Sequence, residues 1–246
     1  MIPKIIHYCW FGRGKMPLMA ERCISSWKQI LPGYELRLWN EDSFDITSVQ
    51  YAQEAYEARK FAFVTDYVRL YALYTVGGIY MDTDVEMLKP LDDLLHLPAF
   101  SGFESDHEIP TGIMAGEQHN SWSKEQLQHY EGRAFRRPDG SYDLTTNVEI
   151  ISGSMAANGF KLRNSYQVYK EYMHIFPKDY FCPKSRAGLI TITPNTYCIH
   201  HFEGSWQPMP MKLKKYVFQK IIGPTMTDKL IRMKRFLLTP RHHPTK

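Results

Sequence analysis

The sequence predicts an α/β protein with a mostly parallel central sheet and helices on its faces. Three observations predict it. The first half alternates short apolar runs with helix-length segments, the β-α-β-α rhythm of parallel strands joined through helices. A helix-like run, Phe61 to Val76, is apolar or aromatic almost throughout, its only charges being Asp66 and Arg69. Gly77-Gly78 stops that helix, and Ile79-Tyr80-Met81 follows as a short buried strand ending in two carboxylates, Asp82 and Asp84. The carboxyl ends of strands are where ligands bind in open α/β sheets.

The elements follow in order. Ile2 to Trp10 is an apolar, β-branched run suited to a buried strand, and Gly12-Arg13-Gly14-Lys15 is a basic turn. Pro17 opens a helix through Leu31, ended by Pro32-Gly33. Tyr34 to Trp39 is a second strand, and Val49 to Arg59 a second helix. Beyond the central stretch, Leu91 to Leu97 is a short helix or turn, and Phe100–Glu104 and Gly112–Ala115 are strands. Asn120 to Phe135 is expected to be helical, Pro138-Asp139-Gly140 a turn, and Asn147 to Ala157 a helix before Gly159. Phe181 to Thr196 is loop-rich, and no internal repeat or low-complexity segment occurs.

Bulk properties exclude several classes. A chain of 246 residues buries one large core or two modest ones. A net charge of +4 is too small to argue for nucleic acid. Cys9, Cys23, Cys182 and Cys198 are widely spaced without a C-x-x-C, which favours reduced thiols in the cytosol. No signal peptide is expected from MIPKIIHYCWFG, and no apolar run approaches the ~20 residues of a membrane span.

The chemistry centres on the aspartates. A bare D-x-D is weak, since a chain this long contains about one by chance; its bland reading is a solvated turn. Hard divalent cations prefer carboxylate oxygens, and two aspartates one residue apart at a strand end suit a metal on one side and a sugar or ribose hydroxyl on the other. Asp66 and Arg69 are spaced for an i,i+3 helix salt bridge. A charged pair in an aromatic, buried run is poorly explained by packing, and better by a polar pocket at the strand ends. Either His200 or His201, before Gly204-Ser205-Trp206, offers an imidazole to a site begun by Asp84. Trp10, at the end of the first strand, is a core residue or a ring for stacking on a nucleobase.

The opening IPKIIHYCWFG, the central GGIYMDTD and the closing IHHFEGSW together resemble glycosyltransferase family 32 over roughly residues 1 to 206. The likeness is to the bacterial capsular-polysaccharide type, with more distant similarity to yeast initiating mannosyltransferases and clostridial toxin glucosyltransferase domains. It implies a single GT-A type domain with a Rossmann-like sheet, a nucleotide-sugar donor (UDP-hexose), Mn²⁺ or Mg²⁺, and transfer with retention. By position, Trp10 would stack on the base, and Asp66 and Arg69 would hold sugar hydroxyls in a pocket lined by Tyr80. Asp82 would contact ribose or sugar, and Asp84, with Asp82 and His201, would hold the metal. Ser205 and Trp206 would approach the diphosphate; the toxins place serine two residues before tryptophan, whereas here the two are adjacent. The family's asparagine near the position of Thr111 or Gly112 is absent.

Two rivals accompany this reading. A haloacid-dehalogenase-like phosphatase wants Thr or Val where Glu86 stands, four residues after the first aspartate. A non-catalytic membrane-surface module would leave the four charged residues unexplained. It draws on the basic helical tail expected at 207–246, which has ten Lys or Arg, one acid and interleaved apolar residues; the tail is +9 and residues 1–206 are −5. Either the tail packs as a helical pair with a solvated basic face, or residues 212–246 dock on an anionic membrane surface. The latter suits a cytoplasmic enzyme, peripheral on the inner face of the membrane, with a glycan or lipid-linked oligosaccharide acceptor.

Overall fold

The computed structural model describes residues 1–110, 112–185 and 187–204, with Gly223 and Met226. Its elements are β1 (Ile5–Cys9), α1 (Leu18–Ile30), β2 (Glu35–Trp39), α2 (Gln50–Glu57), α3 (Phe61–Thr75), β3 (Gly78–Met81), β4 (Val85–Met87) and β5 (Ala99–Gly102). Then come β6 (Ile113–Gly116), α4 (Ser121–Gln128), α5 (Asn147–Ala157), β7 (Gln167–Tyr169), β8 (Met173–Phe176), α6 (Lys178–Phe181) and β9 (Cys198–His200). The chain divides into a large unit, Met1–Pro183 with Ile192–Trp206, and a small one, Lys184–Thr191 with Gln207–Lys246. The described part of the small unit is a turn closed by a bridge between Lys184 and Ile190. The expected tail at 207–246 lies outside the described residues except for Gly223 and Met226, and Ser205 and Trp206 lie outside them too.

The fold class is α/β. A seven-stranded sheet has the order β2-β1-β3-β6-β5-β8-β7. β1 runs parallel to both β2 and β3, as does β5 to β8, while β6 is antiparallel to its neighbours β3 and β5, and β7 to β8. The apolar strand runs are continuous because the sheet is covered on both faces. Tyr80 and Met114 enter one core with Phe63, Val64 and Leu70 of α3, whereas Ile79, Met81 and Ile113 enter a second with Trp27 of α1 and Phe181. Strand alternation therefore sends Tyr80 and Asp82, two residues apart, toward α3.

A second sheet, absent from the sequence expectations, pairs β4 antiparallel with β9. Trp27 locks it to α1 through an indole N–H donated to the Val85 carbonyl at 2.7 Å. This pairing brings the closing motif back beside the aspartates. The helix expected over 120–135 stops at Gln128; Gly132 takes a φ of 66° in the turns that follow, and Tyr130 and Phe135 are buried there.

Candidate active site

The site begins with the turn between α3 and β3. Gly77 and Gly78 have φ of 72° and 114°, and a Cβ on Gly78 would stand 2.6 Å from the Ile5 carbonyl, so β3 lies against β1 only because no side chain intervenes. His7 fixes the turn from below. Its Nε2–H donates to the Gly77 carbonyl at 2.8 Å, while Nδ1 accepts the Trp39 indole N–H at 3.0 Å. Burial lowers the His7 pKa to about 4, so the ring stays neutral.

At the other end of β3, Asp82 receives two partners on one oxygen. The Tyr80 hydroxyl donates to Oδ1 at 2.8 Å, and Arg69 lies 3.3 Å from the same atom. Arg69 also pairs with Asp66 at 3.2 Å, and its guanidinium sits 4.7 Å from the centre of the Tyr80 ring. Asp66 and Arg69 thus form a helix salt bridge that also reaches Asp82. Burial raises the Asp66 carboxyl, Arg69 opposes it, and the nearby Asp82 and the Asn147 backbone N–H act in opposite senses; the result is a pKa of about 6. Asn147 opens α5, where a capping box of Thr146 and Glu149 fixes the first turn, and its Nδ2 is buried without a hydrogen-bond partner.

The other oxygen of Asp82 faces the second half of the site. Asp82, Asp84 and His200 each present one ligand atom, all within 4.8 Å of one another. His200 Nε2 is 3.3 Å from Asp84 Oδ1 and 3.8 Å from Asp82 Oδ2. Burial alone would lower the His200 pKa, but the Asp84 carboxylate outweighs it and raises it well above the usual value. Burial likewise opposes ionisation of Asp84, yet His200 and the Glu203 N–H, donated at 2.8 Å, hold it below the usual carboxylate range.

This donor set fits a divalent cation. Two carboxylates and an imidazole suit Mn²⁺, and Mg²⁺ through the oxygens. Gly112 keeps the space open: a Cβ there would stand 3.0 Å from Val85, 3.1 Å from Asp82 Oδ2 and 3.1 Å from His200 Cε1.

The placement differs from expectation at the histidine. His201, expected in the metal set, instead has Nε2 2.7 Å from Glu86, while its N–H continues the strand pairing to the Asp84 carbonyl at 2.9 Å. Successive residues along an extended chain face opposite ways, so only His200 meets Asp84. Trp10 follows β1 at the same sheet edge, half-buried, its indole N–H donated to the Gly14 carbonyl at 2.6 Å. Sequence reasoning missed His200 as the facing histidine, Gly112 as the cradle, and Asn147 as a neighbour of Asp66. The capping box before Asn147 was the available signal.

Residues 17–100 match the family described as "Glycosyltransferase sugar-binding region containing DXD motif". Inositol phosphoceramide mannosyltransferase 3 of Schizosaccharomyces pombe is 34% identical over 120 residues, 46% of this chain and 33% of that protein. Inositol phosphoceramide mannosyltransferase 2 of the same organism is 26% identical over 186 residues, 73% of this chain and 54% of that protein. The chain thus spans about a third to a half of the length of these relatives. Among solved structures, PaToxG glycosyltransferase matches at TM-score 0.47 and 16% identity, over 64% of this chain and 69% of that one. The apo-form glycosyltransferase GlyE of Streptococcus pneumoniae TIGR4 matches at 0.45 and 10% identity, over 94% and 64%. The matched residues 17–100 hold α3, β3 and both aspartates, so the likeness to the sugar-binding region containing a DXD motif falls on the site itself.

Proposed function

We propose that this chain is a metal-dependent, retaining glycosyltransferase of GT-A type that moves a hexose from a nucleotide sugar to a glycan or lipid-linked glycan. The observation that carries the reading is the position of Asp82 between two groups of different chemistry. On one side Asp66 and Arg69 offer an acceptor and a donor suited to vicinal sugar hydroxyls. On the other, Asp84 and His200 offer a cation its ligands. Trp10 gives a base a flat surface at the same edge, and Ser205 and Trp206 are assigned to the diphosphate by resemblance. A bound divalent cation would neutralise charge gathering on the departing diphosphate.

Asp66 is engaged by Arg69 and by the Asn147 N–H, and Asp82 by Arg69 and Tyr80, so neither is set up as a nucleophile. Attack of the acceptor from the leaving-group face therefore accounts for retention better than a double displacement. A glycosyl-enzyme adduct in mass spectra of the donor-treated protein would overturn that step.

UDP-hexoses are the favoured donors by resemblance, and GDP-mannose belongs in the same screen because the named relatives are mannosyltransferases. A thermal-shift panel of UDP-glucose, UDP-galactose, UDP-N-acetylglucosamine and GDP-mannose with Mn²⁺ tests the reading. One donor is expected to raise the melting temperature more than its bare nucleotide, and Asp84→Ala to abolish the Mn²⁺-dependent part. A flat panel sinks the proposal. Surface or capsular polysaccharide synthesis is the role this activity would serve, at the cytoplasmic face of the membrane, with residues 212–246 as the contact to anionic lipid.

A further inference from the structure

Next to Asp66 the large unit holds buried polar atoms that the donor site described above does not use. Tyr51 on α2 and Tyr130 just beyond α4 meet edge to face, ring centroids 4.9 Å apart, and both are closed to solvent. Neither hydroxyl has a hydrogen-bond partner within the protein, nor do Asn147 Nδ2, Ser123 Oγ and both amide atoms of Gln126. These six make up most of the buried unpartnered side-chain polar atoms among the described residues.

The residues bearing three of them, Tyr51, Tyr130 and Asn147, adjoin Asp66. Tyr130 packs against Tyr67, the chain neighbour of Asp66, at 5.7 Å, and Asn147 donates its backbone N–H to Asp66. The Arg133 guanidinium lies 5.5 Å from the Tyr51 ring centre and 5.8 Å from that of Tyr130. Asp66 is among the charges that act on both phenols. Ser123 and Gln126 occupy the buried side of α4, which packs on α3.

A buried phenol or amide without a partner destabilises the fold, so a cluster of them implies a ligand that completes it. The atoms are neutral, and the phenols and amides together offer both donors and acceptors. Asp66 and Arg133 already have counter-charges in Arg69 and Asp143. The matching ligand group is therefore neutral and both donates and accepts, as a hydroxyl does.

We propose that Tyr51 and Tyr130 line, with Asn147 and Asp66, a hydroxyl-binding recess at the inner end of the donor pocket that helps to select the transferred sugar. Its oxygen comes either from the sugar itself or from an ordered water that relays hydrogen bonds between the phenols and Asp66. The inference rests on the donor-site reading above. In the first case the tyrosines touch substrate; in the second they position Asp66.

Tyr51→Phe and Tyr130→Phe remove only the oxygens and keep the packing. Calorimetric titration with Mn²⁺ would compare UDP and GDP with UDP-glucose, UDP-galactose and GDP-mannose. For whichever sugar nucleotide the unmodified chain binds more tightly than its nucleotide, each variant is expected to lose tenfold or more in affinity. Affinity for the bare nucleotide stays unchanged, a split that a purely structural role would not produce. Monodeoxy analogues of that donor separate the two sources. A sugar hydroxyl predicts one analogue on which the variants have no further effect; a relaying water predicts equal losses on all analogues. Affinities unchanged within twofold, or falling equally for sugar nucleotide and nucleotide, would overturn the recess. No preference for any sugar nucleotide in the unmodified chain would overturn the donor-site reading, and the recess with it. Should a variant not fold, a crystal structure of the full chain with donor decides: the phenols must then share an oxygen partner, and phenols still unpartnered refute the proposal.

Discussion

At the scale of single residues, Asp66 would set the proposed donor binding against stability. Its carboxyl, ordinarily near 3.8, is raised to about 6, so the native state holds a proton that the unfolded chain releases between about pH 4 and 6. The stability contributed by this residue is fully present below that window and lost as pH rises through it, by about 2–3 kcal/mol. Asp66→Asn is expected to gain stability relative to the unmodified chain as pH rises from 4 to 6.5, while losing donor binding. The difference between the two melting curves is the right measure because His7 slopes the other way. Its pKa is lowered to about 4, so its contribution is present above 6.5 and lost as pH falls toward 4. A constant difference across this range would contradict the assignment. His200 predicts a second pH effect. Its pKa is raised beside Asp84, and binding a cation through Nε2 must expel the proton. Below that pKa, Mn²⁺ affinity is expected to fall about tenfold per pH unit, with proton release in calorimetry; binding without release would remove His200 from the ligand set. Gly112→Ala crowds the same cradle, and is expected to weaken Mn²⁺ binding tenfold or more while the melting temperature moves by only a few degrees.

At the scale of elements, α5 shows how capping reaches the site. Thr146→Ala removes the bond that Thr146 Oγ1 accepts from the Glu149 N–H and should cost about 1 kcal/mol. Because the first N–H of α5 lies on Asp66, donor affinity should fall with it; unfolding and titration measured together check both, and unchanged affinity would detach α5 from the sugar pocket. The sequence expressed this helix to the residue, as a run from Asn147 to Ala157 with Gly159 after it. The central helix and β3 were as legible, through two charges in an aromatic run and a Gly-Gly stop. What stayed hidden depends on partners distant in the chain. β4 and β9 are three residues each, with no pattern of their own, and only their pairing selects His200 over His201. β7 and β8 join through Lys170 and Glu171 at φ of 47° and 65°, without the Gly or Asn that signals such a turn. Their strain is balanced at Glu125, which accepts from Tyr169, Lys170 and Tyr172.

At the scale of the whole molecule, charge separates residues 1–206, at −5, from the following +9 segment. Deleting residues 212–246 should abolish sedimentation with phosphatidylglycerol-rich vesicles and leave turnover of soluble acceptors unchanged, whereas undiminished sedimentation would refute the membrane role. Among the described residues no helix is long and apolar enough to cross a membrane. Within the large unit, the two oxygens of Asp82 look in different directions: Oδ1 toward Arg69 and Tyr80, Oδ2 toward His200 and Gly112. Under the proposed function one carboxylate would belong to two binding equilibria, and drawing it toward either would alter its posture for the other. Thermodynamic reciprocity then requires that whatever factor the cation adds to sugar affinity, the sugar adds to cation affinity. Under the proposed function, a cation that tightens donor binding would itself be held more tightly once a donor has arrived.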